Sequence, residues 1–295
     1  MPLLHVIILA IIQGLAELLP VSSSAHVVVA EKLMGMDPTA PAMTLLLVML
    51  HTGTMFAVIV YFWRQWSRTY FRSMENFKTV IVQLIAASFV TAVIGYGLIK
   101  IIEKFVLHGQ HAQVEQLFGR LDLIAPALAA VGILILIAGL RHSRKQAAAA
   151  TEPAEHASSS SGLDMRQASW IGAIQGLCLP FRGFSRSGAT ISTGMLLGVA
   201  KSRAEEFSFA LAVIVTPPAI AREVWRLAKA RHLAGAAPIA SAMMPSLLGM
   251  VFAFLAGLVA LKWLSGWLES GRWYWFGVYC LFAAVVVEYL HHVGY

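Results

Sequence analysis

Ile12–His26 reads IQGLAELLPVSSSAH, and its reading decides the fold. The stretch lies in strongly apolar surroundings, yet it carries Gln13, Glu17, Ser22, Ser23, Ser24 and His26, and Pro20 divides it. Ile174–Thr190, IQGLCLPFRGFSRSGAT, repeats the layout: the tetrad Ile-Gln-Gly-Leu, a proline, a Ser-rich turn, then a new apolar run. Apolar sequence that stops for a carboxylate, hydroxyls, an imidazole and an arginine needs a reason. The expectation is that the two segments meet and form one anion-handling site inside a membrane.

Composition supports the membrane. The 295 residues are 58% hydrophobic and 13% charged, with a mean hydropathy of +0.73. Soluble domains carry about 25% charged residues, so this chain lacks the charge to cover a water-exposed surface. The net charge of +7 could suggest nucleic acid. However, the basic residues cluster beside apolar spans (Arg64, Arg68, Arg72 and Lys78; Arg141, Arg144 and Lys145), as cytoplasmic loops do. No basic stripe with interleaved aromatics argues for nucleic acid. Cys178 and Cys280 both lie in apolar sequence and build neither a disulfide framework nor a metal pattern. No basic region precedes the first apolar run, so a cleaved signal peptide is not expected.

Neither Pro2–Leu19 nor Val27–Met34 reaches the ~20 apolar residues of a full span. With Pro20 and the serines between them they read as two half-helices turning back within the membrane. Non-helical backbone at that depth is tolerated only against protein or a water-filled cavity. Full spans are expected at Ala42–Trp63, Thr79–Ile102, Leu123–Leu140, Phe207–Trp225 (interrupted by Pro217 and Pro218), Ser241–Leu264 and Trp273–Leu290. Trp263, Trp267, Trp273, Tyr274 and Trp275 form an interfacial aromatic belt at the last turn. The fold class is therefore an all-α integral membrane protein with six transmembrane helices, two re-entrant helix-turn-helix pairs and an inverted-topology repeat. Residues 1–140 and 167–295 are the halves, and 141–166 is a flexible cytoplasmic linker ending its basic run in SSSSG. Charge places 64–78 and 141–166 inside and both termini outside; Arg222, Arg226, Lys229 and Arg231 disagree with that orientation.

Gln13 and Glu17 are four residues apart, on one helix face. Ser22–Ser24 precede a helix start, where unpaired N–H groups and the positive dipole end favour an anion. Arg186, flanked by Ser185, Ser187 and Gly188, sits equivalently in the second half and offers a planar fork for phosphate oxygens. Taken singly, Ser22, Ser24, Ser187 and His51 read as caps or interhelical bonds. Glu17, His26 and Arg186 together read as functional, because ionisable groups are expensive at membrane depth. A phosphate or diphosphate suits such a site better than a neutral ligand.

The chain resembles the undecaprenyl-diphosphate phosphatase, or bacitracin-resistance protein, family. The opening motif, LHTGT (Leu50–Thr54), SRSGAT (Ser185–Thr190) and EEFSFALA (Glu205–Ala212) carry the resemblance in order over nearly the whole chain. It implies a bacterial inner-membrane hydrolase of inverted repeats, with its active site toward the periplasm. Its implied reaction removes the terminal phosphate of undecaprenyl diphosphate, regenerating the monophosphate carrier for peptidoglycan synthesis. By this resemblance the second Glu of the family's Glu-x-x-x-Glu motif falls on Glu17, its serine on Ser23, its histidine on His26 and its arginine on Arg186. Two positions depart: Gln13 stands for the first Glu, and Arg182 for the proline of the second turn. A divalent cation (Mg2+ or Ca2+) on Glu17 is expected, weakened by the lost carboxylate; Arg182 adds a phosphate contact.

The catalytic set is thus Glu17, Ser23, His26 and Arg186, with Ser23 the nucleophile and His26 its base or acid, or the two roles exchanged. Glu17 orients His26, positions water or holds the metal. The substrate-binding set is Gln13, Ser22, Ser24, Arg182, Ser185, Ser187, Thr190 and His51. Expected partners are a polyprenyl diphosphate and membrane lipids, no nucleic acid, and a homodimer is admitted. The alternative, from another class, is a polyprenyl-phosphate flippase or anion transporter, since paired broken half-helices also mark secondary transporters.

Overall fold

The computed structural model describes residues 2–36, 41–105, 117, 119–149, 163–234, 240–269 and 272–295. These residues form ten helices and no strand. In the first half they are α1 (Leu3–Leu18), α2 (Ser23–Leu33), α3 (Pro41–Thr69), α4 (Met74–Phe105) and α5 (Leu121–Ala149). In the second they are α6 (Met165–Cys178), α7 (Arg186–Leu196), α8 (Lys201–Ala234), α9 (Ala240–Glu269) and α10 (Tyr274–Val293). Each half opens with two short helices and continues with three long ones. Six helices (α3, α4, α5, α8, α9 and α10) are long and apolar enough to cross a membrane.

The breaks have local causes. Leu19 is extended (φ −75°, ψ 150°), as the residue before Pro20 prefers to be, and α1 ends there. Ser22 then turns the chain with φ 67°, the one positive φ at a non-glycine among the described residues. In the second half, Gly183 takes φ +100° with the Ile124 carbonyl 2.5 Å from where a Cβ would stand, so only glycine fits that turn. α6 starts on a capping box: the Asp164 carboxylate accepts from the Gln167 N–H, and the Gln167 side chain accepts from the Asp164 N–H.

Two expectations are corrected. Pro217 and Pro218 do not interrupt the span, because both lie inside the continuous α8. Each proline loses a hydrogen bond and crowds the preceding turn, but neighbouring helices can re-satisfy the freed groups in an apolar bundle. The linker is also shorter than 141–166: α5 continues through Ala149, since alanine is the strongest helix former. Residues 150–162 lie outside the described residues, as do 106–116 and the side chains of Trp267, Arg226, Lys229 and Arg231.

Part of the packing obeys an exchange of halves, although α5–α7, α7–α8 and α1–α3 have no comparable counterpart. α1 packs on α9 and α6 on α4; α3 packs on α9 and α8 on α4; α3 meets α8 and α5 meets α10. Swapping the halves returns the same pairs. Small residues let these helices approach: a Cβ on Gly53 would lie 2.2 Å from the Met250 carbonyl oxygen, and one on Gly172 2.3 Å from that of Ala87. Val82, Ile85, Phe89, Val93 and Tyr96 leave an apolar face of α4 exposed, as a lipid-facing helix requires. The two broken turns end up facing each other at the centre.

Candidate active site

The two turns are stitched by hydrogen bonds that cross between the halves. The Gly183 N–H donates to Ser24 Oγ at 3.3 Å, and Ser187 Oγ donates to the Leu19 carbonyl at 3.2 Å. Gly188 also sits against the first turn, since a Cβ there would stand 3.3 Å from Cβ of Pro20. Ser185 caps α7 by accepting the Gly188 N–H at 3.2 Å. Thr190 is turned away from the site: it is fully buried, donates to the Arg186 carbonyl at 2.8 Å and lies 2.6 Å from Ser208 Oγ.

Glu17 is the hub. Its Oε1 accepts from the Arg186 guanidinium at 2.7 Å, and its Oε2 accepts from Ser23 Oγ at 2.5 Å and from Gln13 Nε2 at 3.1 Å. His51 Nε2 lies 3.8 Å from Oε2. One carboxylate therefore links α1, α2, α3 and α7. Side-chain exposure is 16% for Glu17 and 22% for Arg186, so the pair is sheltered but open to a ligand. Beside it lies a small cavity of about 20 Å3 lined by Glu17, His51, Thr54, Arg186 and Thr216 among apolar neighbours.

His26 does not join this group. Its Nδ1 lies 2.8 Å from the Ser22 carbonyl and its Nε2 2.6 Å from the Tyr279 hydroxyl, with the two rings stacked at 5.7 Å. A carbonyl only accepts, so Nδ1 carries the proton and, in the neutral ring, Nε2 accepts from Tyr279. Both nitrogens are thus engaged away from Ser23. The expected Ser23–His26 pairing is replaced by Ser23–Glu17, because the first turn of α2 sends positions 23 and 26 to different neighbours. Tyr279 escaped sequence reading; it is one of three tyrosines in the apolar α10 and nothing in the residue order sets it apart. Thr54 and Thr216 were likewise not singled out as cavity residues.

The remaining expected contacts spread around this centre. Ser22 Oγ lies 3.3 Å from Ser24 Oγ. Arg182 is half-buried in the second turn, and its charge acts on Glu31, a fully buried carboxylate of α2. It does not line the Glu17 cavity. Among the described residues, no group of three or more His, Cys, Asp or Glu is arranged to hold a metal ion. Glu17 is the one carboxylate lining the cavity, and its oxygens already accept from three donors. This donor set does not by itself build a divalent-cation site, which wants several oxygen ligands.

The arrangement offers a hydroxyl whose proton points at a carboxylate, an arginine beside it, and two helix starts. That combination handles a phosphoryl group. The chain is 56% identical over 292 residues to undecaprenyl-diphosphatase 2 of Acinetobacter baylyi, covering 97% of this chain and 98% of the relative. It is 32% identical over 296 residues to undecaprenyl-diphosphatase 2 of Burkholderia ambifaria, covering 97% and 95%. With undecaprenyl-diphosphatase of Parabacteroides distasonis the identity is 30% over 285 residues, covering 95% of each. The profile of the bacitracin resistance protein BacA family matches residues 6–286, and with these relatives it shows that the chain belongs to that family.

Proposed function

We propose that this protein hydrolyses undecaprenyl diphosphate to undecaprenyl phosphate and inorganic phosphate, returning the lipid carrier to cell-wall synthesis. The observation that carries the reading is the Glu17 carboxylate, which accepts Arg186 on one oxygen and Ser23 on the other. Family membership supports the substrate.

In the proposed reaction Ser23 Oγ attacks the terminal phosphorus while Glu17 takes its proton. The bond from that phosphorus to the bridging oxygen breaks, and the monophosphate lipid leaves with the electron pair. Water, deprotonated by Glu17 once that proton has passed to solvent, then cleaves the phosphoserine. Ser23 regains a proton and inorganic phosphate departs. Arg186, the amides opening α2 and α7, and His51 stabilise charge on the equatorial oxygens. His26 is a positioning residue: its bond to the Ser22 carbonyl holds the turn that presents Ser23. Gln13 holds Glu17, and Ser24 and Ser187 hold the two turns together.

A Mg2+ or Ca2+ ion bound together with the diphosphate would find in Glu17 the one carboxylate that this site offers. It would neutralise phosphate charge. The two short-helix pairs are proposed to be re-entrant and the halves inverted, in a bacterial inner membrane with the cavity reached from the periplasm. The repeated helix order supports this, since three long helices per half reverse the direction of the second.

The test is release of inorganic phosphate from undecaprenyl diphosphate by purified protein in detergent. Ser23→Ala and Arg186→Ala are expected to lose about 100-fold or more in kcat. Tight lipid binding without phosphate release by the wild type would instead support the flippase or transporter alternative.

A further inference from the structure

A second cavity, of about 420 Å3, opens between the C-terminal end of α3, the start of α4 and the start of α8. Arg68, Arg72 and Arg203 line it together with Thr69, Asn76 and Thr79. On α3 the nearest lining residues of the two cavities, Val58 and Arg68, are about 15 Å apart at 1.5 Å per residue. An aromatic layer separates the two: Phe62 packs on Phe209 at 5.3 Å and on Trp66 at 5.8 Å between ring centroids, and all three are buried. The second cavity is thus not an extension of the first.

Its charge is built. Glu206, fully buried, accepts from Arg203 at 3.0 Å, from Gln65 at 3.3 Å and from Thr69, which fixes one guanidinium at the wall. Among the described residues no hydrogen bond or ion pair engages Arg68 or Arg72, and both are exposed. Three arginines against one carboxylate leave a net charge of +2. The first turns of α4 and α8 add their positive dipole ends. Beside the cavity, Trp63, Phe71 and Phe77 form a chain of rings at 6.3 Å and 5.5 Å, and Trp63 and Phe71 are more than half or half exposed (58% and 50%). Exposed aromatics next to basic side chains at the end of a spanning helix are what a bilayer interface selects.

We propose that this cavity binds a phosphate group, supplied by the headgroup of an anionic lipid at the face opposite the mouth of the Glu17 site. Basic pockets between spanning helices take such headgroups, and the aromatic chain supplies the neighbouring acyl contact. The inference does not depend on the reaction proposed above.

Full-length protein in neutral detergent is offered equal phosphatidylglycerol and phosphatidylcholine of matched chains, and the retained lipid is counted by native mass spectrometry. Wild type is expected to prefer phosphatidylglycerol, and the Arg68→Gln/Arg72→Gln variant to lose about tenfold of that preference. Arg186→Ala is expected to keep it. Equal retention of both lipids by wild type, an unchanged preference in the double variant, or a preference lost in Arg186→Ala overturns the proposal. Thermal unfolding with inorganic phosphate identifies the source. Stabilisation by phosphate that needs Arg68 and Arg72 assigns the site to a free anion, and stabilisation by the lipid alone assigns it to a headgroup. Circular dichroism checks the fold, and Arg72→Glu serves as a second variant at an exposed position.

Discussion

Replacing Glu17 by Gln keeps the shape of the hub and removes its charge. In the wild type the carboxylate accepts from Arg186 at 2.7 Å, from Ser23 at 2.5 Å and from Gln13 at 3.1 Å. An amide has one accepting oxygen. If it faces Arg186, the NH2 meets Ser23 and Gln13; if it faces Ser23, the NH2 meets the guanidinium. In the first orientation Ser23 must turn from donor to acceptor and the Gln13 amide must flip, in the second a donor confronts a donor, and in both Ser23 has no carboxylate to take its proton. Loss of a general base costs about 10²–10⁴ in rate. Arg186 keeps its place as a cation but loses its partner, which in a sheltered ion pair costs on the order of 3 kcal/mol of stability. The expected result is therefore a fall of at least 100-fold in kcat, a small change in KM, and a lowered but still cooperative thermal transition. Phosphate release from undecaprenyl diphosphate and differential scanning fluorimetry in the same detergent measure both. Turnover within tenfold of wild type would refute the assignment of Glu17 as the base, whatever the stability change.

Tyr279→Phe removes the hydroxyl 2.6 Å from His26 Nε2; a several-fold fall in kcat, smaller than that of Glu17→Gln, is expected in the same assay. Gln13→Glu places a second carboxylate four residues from Glu17; a Mg2+ titration of phosphate release should then show half-maximal stimulation at lower concentration, and an unchanged titration would count against a cation beside Glu17. Gly53→Ala puts a Cβ 2.2 Å from the Met250 carbonyl oxygen, forcing α3 and α9 apart; a loss of about 1–3 kcal/mol is expected, read as an earlier thermal transition. A wild-type transition in that variant would mean that the helices pack less closely than described.

Much of this protein was written into its residue order. Six apolar runs long enough to cross a bilayer, two shorter ones broken by Pro20 and Pro180, and polar groups placed at those breaks required an all-helical membrane protein with a site at the breaks. The physical reason is the high cost of a charge or an unpaired backbone group in an apolar medium, so each exception stands out. Glu17, His26 and Arg186 stood out for that reason, and Ser23 stood out through the family resemblance. Their connections did not. Glu17 and Arg186 are 169 residues apart, and only the packing of α1 against α9 and of α7 between α5 and α8 brings them to 2.7 Å. Spacing alone allowed Ser23 and His26 to meet, whereas the first turn of α2 sends one to Glu17 and the other to Tyr279. Pro217 and Pro218 read as an interruption, yet α8 runs through them. The aromatic layer between the two cavities is likewise tertiary, because Phe62 and Phe209 are unremarkable apolar residues until α3 and α8 are packed. Local chemistry chose which segments cross the membrane and where they break. Helix packing chose which polar atom answers which.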